Sequence, residues 1–218
     1  MKKNILFIDA CTRKDSRTRR LAEAVLSHID GVVTHLKLYD ESLYPVDENA
    51  VVQREQCVSC GSCESDQLKY AKQFAAADEI VIAAPHWDLS FPSLLKVYIE
   101  NVTVIGITFA YTEQGEPYGL CKAERLIYVA TAGGRILDES FGYGYVRALC
   151  RRFYGIPVTE SLCAQKLDLA GENPEEILQE AMNEAGRRFG DGILYEHDEL
   201  RNVGAVSSDA DGQIHRLN

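Results

Sequence analysis

The sequence predicts an α/β fold, a doubly wound parallel sheet of five strands with helices on both faces. Three observations carry that prediction. Short unbroken apolar runs such as Ile80 to Ala84 recur along the chain, which suits strands buried on both faces. Stretches with apolar residues at helical spacing separate those runs. The runs end in loops rich in polar, aromatic or glycine residues, and ligands bind at that edge of open parallel sheets.

Lys3 to Ala10 is the first strand, with Ile5, Leu6, Phe7 and Ile8 contiguous. The beginning, MKKNILFIDACT, is basic, but its apolar run is short and broken by Asp9, unlike a signal peptide. Cys11 to Thr18 is a polar loop, and Ser16 caps a helix with Leu21, Val25 and His28 or Ile29 on its buried face. Val32 to Tyr39 alternates apolar and polar residues as an edge strand does. Asp40 to Gln56 has no clear period and reads as a long surface loop. Leu68, Ala71, Phe74 and Ala75 mark the next helix. Ile80 to Ala84 follows as a strand, stopped by Pro85, which has no N–H to donate. After His86, Trp87 and Asp88, Ser90 is placed to cap a helix with Pro92 in its first turn. Its apolar face is Phe91, Leu94, Leu95, Tyr98 and Val102.

GITFAYTEQGEPYGL then reads as a small β-ribbon, with Ile107, Phe109 and Tyr111 alternating and a turn at Gln114-Gly115-Glu116-Pro117. Glu124 to Thr131 is a buried strand that ends in Thr131-Ala132-Gly133-Gly134. Phe141, Tyr145 and Leu149 suit a helix weakened at its start by Gly142 and Gly144. Pro157 to Cys163 is the fifth strand. Asn173-Pro174-Glu175-Glu176 combines a cap, a proline at the first helical position and acids at the positive end of the dipole. Leu178, Ala181, Met182, Ala185 and Phe189 give that helix its buried face, and Gly190 and Gly192 end it. Residues 191–218 are polar and are expected to form a tail, flexible or docked on a partner subunit, after one domain at 1–190. The simplest order for the five strands is the flavodoxin-like 2-1-3-4-5, which brings loops 11–18, 85–90 and 131–135 to one edge.

The formal charge of −10 argues against nucleic acid or an anionic membrane as the main partner. No stretch reaches the length of a transmembrane helix. Seven cysteines without framework-like spacing fit a reducing cytoplasm.

Five cations, Arg13, Lys14, Arg17, Arg19 and Arg20, crowd the first loop and helix start of this acidic chain. They are either a solvated basic turn or part of an anion site built on a helix N-terminus. No glycine-rich Walker or dinucleotide fingerprint is present. A phosphate site, an aromatic loop and a glycine pair on neighbouring strands match a phosphate joined to a flat ring, for which FMN is the economical choice. Ser16, Arg17 and Thr18 would take the phosphate. Trp87 would lie against the isoalloxazine, with backbone N–H groups near Asp88 and Gly133 at its polar edge. Trp87 as core filler and the glycines as a plain turn are the alternatives. Flavin chemistry needs little acid–base machinery from the protein, in keeping with a sequence that shows no Ser-His-Asp triad.

The segment from Ile80 to Gly134 resembles the flavodoxin-fold family of FMN-dependent NADH–quinone oxidoreductases and azoreductases, which includes larger FAD-containing quinone reductases. AAPHWDLSFPSLLKVYIE resembles its strand–flavin loop–helix, GITFAYTEQGEPYGL its β-excursion and TAGG its second flavin loop. The resemblance covers roughly residues 1–190. It implies FMN rather than FAD, NADH or NADPH as donor, a quinone, azo or nitro acceptor, and a ping-pong cycle. It also implies a homodimer whose active sites lie at the interface. The expected cofactor contacts are Cys11, Ser16, Arg17, Thr18, Pro85, His86, Trp87, Asp88, Leu89, Thr131, Ala132, Gly133 and Gly134. The first loop departs from the family, which commonly has small hydroxyl residues where this chain has Cys11 and a basic run. Asp88 is expected to act through its N–H. His86 is either a packing residue or a donor near the acceptor. Phe109, Tyr111 and Arg135 are candidates for substrate contact, against a ribbon core for the aromatics and a solvated surface for Arg135.

Cys57, Cys60 and Cys63 sit at metal-ligand spacing, but the fourth cysteine that a closed zinc or iron–sulfur site requires does not follow before Cys121. Reduced thiols are the favoured reading. An iron–sulfur flavoprotein and a flavodoxin-type electron carrier docking on basic partners are the alternatives to an enzyme.

Overall fold

A computed structural model describes residues 2–59 and 68–190. The expected tail at 191–218 and two members of the cysteine cluster, Cys60 and Cys63, lie outside the described residues. Five strands, β1 (Asn4–Asp9), β2 (Val32–Lys37), β3 (Glu79–Ala83), β6 (Arg125–Thr131) and β7 (Val158–Ala164), form one parallel sheet in the order β2-β1-β3-β6-β7. Counting only these five, that is the expected 2-1-3-4-5. The short strands β4 (Phe109–Tyr111) and β5 (Pro117–Gly119) make a separate antiparallel ribbon, as the alternation at 107–111 predicts.

The alternation within β1 divides the core between the two faces. Ile5 and Phe7 join Val81, Ile127 and Leu162 beneath helices α1 (Arg17–Leu26) and α6 (Pro174–Phe189). Leu6 and Ile8 join Ile80, Ile82, Leu126 and Tyr128 on the opposite face. There they meet α3 (Lys69–Ala76), α4 (Ser93–Val102) and α5 (Tyr143–Leu149), through Phe74, Leu95, Tyr98 and Val146. Every residue of β3 is buried, as a central parallel strand requires, whereas Val32 and Val33 on the edge strand are exposed. The cap at Asn173 accepts from the N–H groups of Glu175 and Glu176.

Two expectations change. Part of the predicted loop at 40–56 is helical: α2 spans Glu48–Ser59 and buries none of its residues. Only Cys57 and Val58 near its end pack partly against Leu68, Ala71 and Val104, so α2 needs no apolar period along its length. Ser90 does not cap α4, which begins at Ser93 after Pro92. Instead its hydroxyl donates to the Phe141 carbonyl at 2.5 Å.

Candidate active site

Asp9, at the carboxyl end of β1, is fully buried. It takes the Nε–H of Arg19 at 2.5 Å and sits 3.2 Å from His35 Nε2. Burial pushes its carboxyl up, but hydrogen bonds from Arg19 and Cys11 more than offset that and hold it below the usual carboxylate range. Arg19 also donates to the carbonyls of Cys11, Arg13 and Lys14, so it shapes the loop that enters α1. Arg20 pairs with Glu175 on α6. Arg17 donates to Leu167 O at 3.1 Å and Asp168 Oδ1 at 2.8 Å. Three of the five cations therefore have internal carboxylate partners.

A cleft of about 160 Å³ opens at this edge, lined by Thr12, Arg13 and Asp15 to Thr18 on one side and Pro85 to Trp87 on another. Thr131 to Gly133 and Leu167–Asp168 complete it. Its two arginines face two carboxylates, so side-chain charge alone gives no net attraction for an anion. That attraction comes from the helix: Ser16 Oγ accepts from Arg19 N, and the N–H groups of Arg17 and Thr18 make no hydrogen bond among the described residues. The same lining includes Gly133, whose N–H is likewise unpaired among the described residues. Unpaired backbone donors and a half-exposed indole in one cleft fit a phosphate arm joined to a flat acceptor-edged ring.

The cleft brings together Ser16, Arg17, Thr18, Pro85, His86, Trp87, Thr131, Ala132 and Gly133 from the expected set. Thr18 and Thr131 are joined through their hydroxyls at 2.6 Å, which fixes α1 against β6. Cys11 does not reach the cleft. It is fully buried, its Sγ lies 3.9 Å from the Ala83 carbonyl, and burial pushes the thiol up to about 12. Gly134 does not line the cleft either. Asp88 and Leu89 turn toward a neighbouring groove of about 500 Å³, shared with Phe91, Phe141 and Tyr145. Trp87 and Ser90 exchange both backbone hydrogen bonds around them, and Asp88 and Leu89 have φ of 50° and 67°. That is a primed hairpin turn made without glycine. Phe109 is buried and packs edge-on against Phe153, so it belongs to the ribbon core; Tyr111 and Arg135 are exposed and line neither space.

Leu167 and Asp168 were absent from the expected set. A Cβ at Gly133 would overlap the Asp168 carboxylate, so this glycine makes room for a protein group. Nothing within the local sequence at 166–168 marks that role. Among the described residues no group of three metal-ligating side chains is assembled.

The family model described as a flavodoxin-like fold matches residues 3–189. FMN-dependent NADH:quinone oxidoreductase 2 of Clostridium acetobutylicum is 36% identical over 194 residues, spanning 83% of this chain and 95% of that protein. A FMN-dependent NADH:quinone oxidoreductase of Coprothermobacter proteolyticus is 33% identical over 196 residues, with the same 83% and 95% coverage. Among solved structures, an azoreductase from Bacillus anthracis superposes with a TM-score of 0.73 at 25% identity, covering 85% of this chain and 97% of that one. The chain belongs to the flavodoxin-like fold family, among the FMN-dependent NADH:quinone oxidoreductases.

Proposed function

We propose that this protein is an FMN-dependent NAD(P)H:acceptor oxidoreductase that reduces quinones and azo or nitro compounds by two electrons in a ping-pong cycle. The observation that carries the reading is one cleft lined by unpaired backbone donors at the start of α1 and at Gly133 and by Trp87. The relatives' names agree with it. FMN, when bound, supplies the two-electron chemistry.

The chain's own residues bind and orient. The N–H groups of Arg17 and Thr18 hold the phosphate, strengthened by the positive end of α1. Trp87 provides a flat wall, and the Gly133 N–H donates to the polar edge of the ring. Nicotinamide and acceptor use one open face in turn. The groove beyond the Trp87–Ser90 turn, lined by Leu89, Phe91 and Phe141, offers an apolar seat for a hydrophobic substituent of an acceptor whose reacting ring lies in the cleft.

The protein acts as a homodimer in a reducing cytoplasm. Exposed Trp87, Leu89, Leu137 and Phe141 around the site support an interface there. Cys11, Cys121, Cys150 and Cys163 form no disulfide among the described residues, and no described helix is long and apolar enough to cross a membrane. The test is to purify the protein, extract and identify its cofactor, and follow NADH and NADPH oxidation with benzoquinone. Tight FMN without turnover by either nucleotide overturns the enzyme reading. Sedimentation as a monomer at micromolar concentration overturns the dimer.

A further inference from the structure

His86 lines two spaces at once, the cleft beside Trp87 and a smaller cavity against β6 and β7. The second leaves about 20 Å³ open to the centre of a water molecule, enough for one. His86, Tyr128, Glu139, Ser161 and Cys163 supply its polar walls. Tyr128 is 3% exposed, and its hydroxyl has no hydrogen-bond partner among the described residues. Left dry, that hydroxyl would forfeit a hydrogen bond it makes freely in the unfolded chain. A water between it and the imidazole removes the penalty and gives the water polar partners on several sides. Glu139 is exposed, so this wall of the cavity borders bulk solvent.

We propose that the cavity holds a water linking Tyr128 to His86, and that His86 passes a proton from this water to the acceptor in the cleft. The inference rests on the oxidoreductase reading above. Reducing a quinone to a hydroquinone takes two electrons and two protons. The nicotinamide donor gives up two electrons with one proton, so the second proton must come from solvent. Burial lowers the His86 pKa below its ordinary value of 6.5, which leaves the ring neutral at pH 7 with one N–H and one lone pair. The N–H proton goes to the acceptor oxygen as the other ring nitrogen takes a proton from the cavity water. Bulk solvent restores the water's proton past Glu139, and the ring, left neutral with its proton on the cavity side, regains the starting tautomer by proton exchange with water before the next turnover.

Two measurements test this. The first is the thermal midpoint of the ligand-free protein with Tyr128→Phe, which deletes only the hydroxyl. A water-filled cavity predicts an unchanged or lowered midpoint, whereas a raised one means the hydroxyl was dry and overturns the proposal. The second compares benzoquinone, which consumes protons, with ferricyanide, which takes one electron and no proton. The ratio of benzoquinone to ferricyanide turnover is expected to fall about tenfold in both Tyr128→Phe and His86→Gln. An unchanged ratio in either variant overturns the relay. If wild-type protein oxidises NADH with neither acceptor, the oxidoreductase reading fails instead, and the thermal midpoint alone still judges the cavity water.

Discussion

Arg19 Nε and Asp9 Oδ2 meet at 2.5 Å, joining the first turn of α1 to the end of β1. The pair places the most buried cation of the basic run behind the cleft rather than in it. Arg19 thus holds three carbonyls of the entering loop while Asp9 anchors Arg19. The loop's shape depends on a charge that never needs to touch a ligand.

Breaking this pair should therefore cost stability before it costs chemistry. Asp9→Asn or Arg19→Ala is expected to lower unfolding free energy by about 3 kcal/mol, because one buried charge loses its partner. Urea unfolding at pH 7 measures it. The Asp9 carboxyl lies below its ordinary 3.8 in the folded state, so its stabilisation is present above that pH and disappears as pH falls through the folded value. The stability difference between wild type and Asp9→Asn should accordingly shrink below about pH 4.

Arg17 and Asp168 lead to opposite outcomes. Asp168→Asn releases the Arg17 guanidinium and removes a carboxylate from the cleft, so FMN affinity should rise several-fold at low salt. Arg17→Ala leaves Asp168 facing the phosphate unneutralised, and affinity should fall about tenfold, the scale of one charge-assisted hydrogen bond. Fluorescence titration of apoprotein with FMN at two salt concentrations separates the two. Shifts of the same sign in both variants would contradict this arrangement.

Trp87 is 41% exposed at the cleft wall, so replacing it should not empty the core. Trp87→Ala is expected to weaken FMN binding by about 2- to 10-fold, from loss of about 0.5–1.5 kcal/mol of ring stacking. It should also shift the visible spectrum of the bound flavin. Unchanged affinity and spectrum would remove Trp87 from the site.

The turn at Asp88 and Leu89 is held in a left-handed conformation that side chains disfavour by about 1–2 kcal/mol per residue. Part of that is recovered with glycine, whose own chain entropy opposes the gain. Leu89→Gly should thus raise the melting temperature by about 2 °C. Because Leu89 lines the apolar groove, the same variant should raise KM for a hydrophobic quinone more than for NADH. A gain in stability with no change in KM would place the acceptor elsewhere.

Burial pushes the thiols of Cys11, Cys121, Cys150 and Cys163 up to about 12. These four should resist alkylation in the native protein at pH 8 and react fully in urea. Peptide mass mapping after brief labelling reads this directly. Native labelling of Cys11 at an ordinary rate would show that the β1–α1 loop opens.

Much of this architecture was legible in the chain because it rests on local periodicity. Contiguous apolar residues in β1, β3 and β6 specified central strands, and their loops had to reach one edge once the order was known. Asn173 and Pro174 announced α6 within four residues. The missing parts depend on partners far away in sequence. The Arg17 guanidinium meets Asp168, 151 positions on, a pairing that no local pattern marks. Cys11, an expected cofactor contact, is packed against Ala83 instead, and the choice for Phe109 between substrate contact and ribbon core is made by Phe153 against its ring. Helix α2 left no apolar pattern because it fully buries none of its residues. Local sequence determined which residues form each element and which loops face the ligand. The tertiary structure alone decided which side chains in those loops stay available, because a charge or thiol is committed by whatever the fold brings against it.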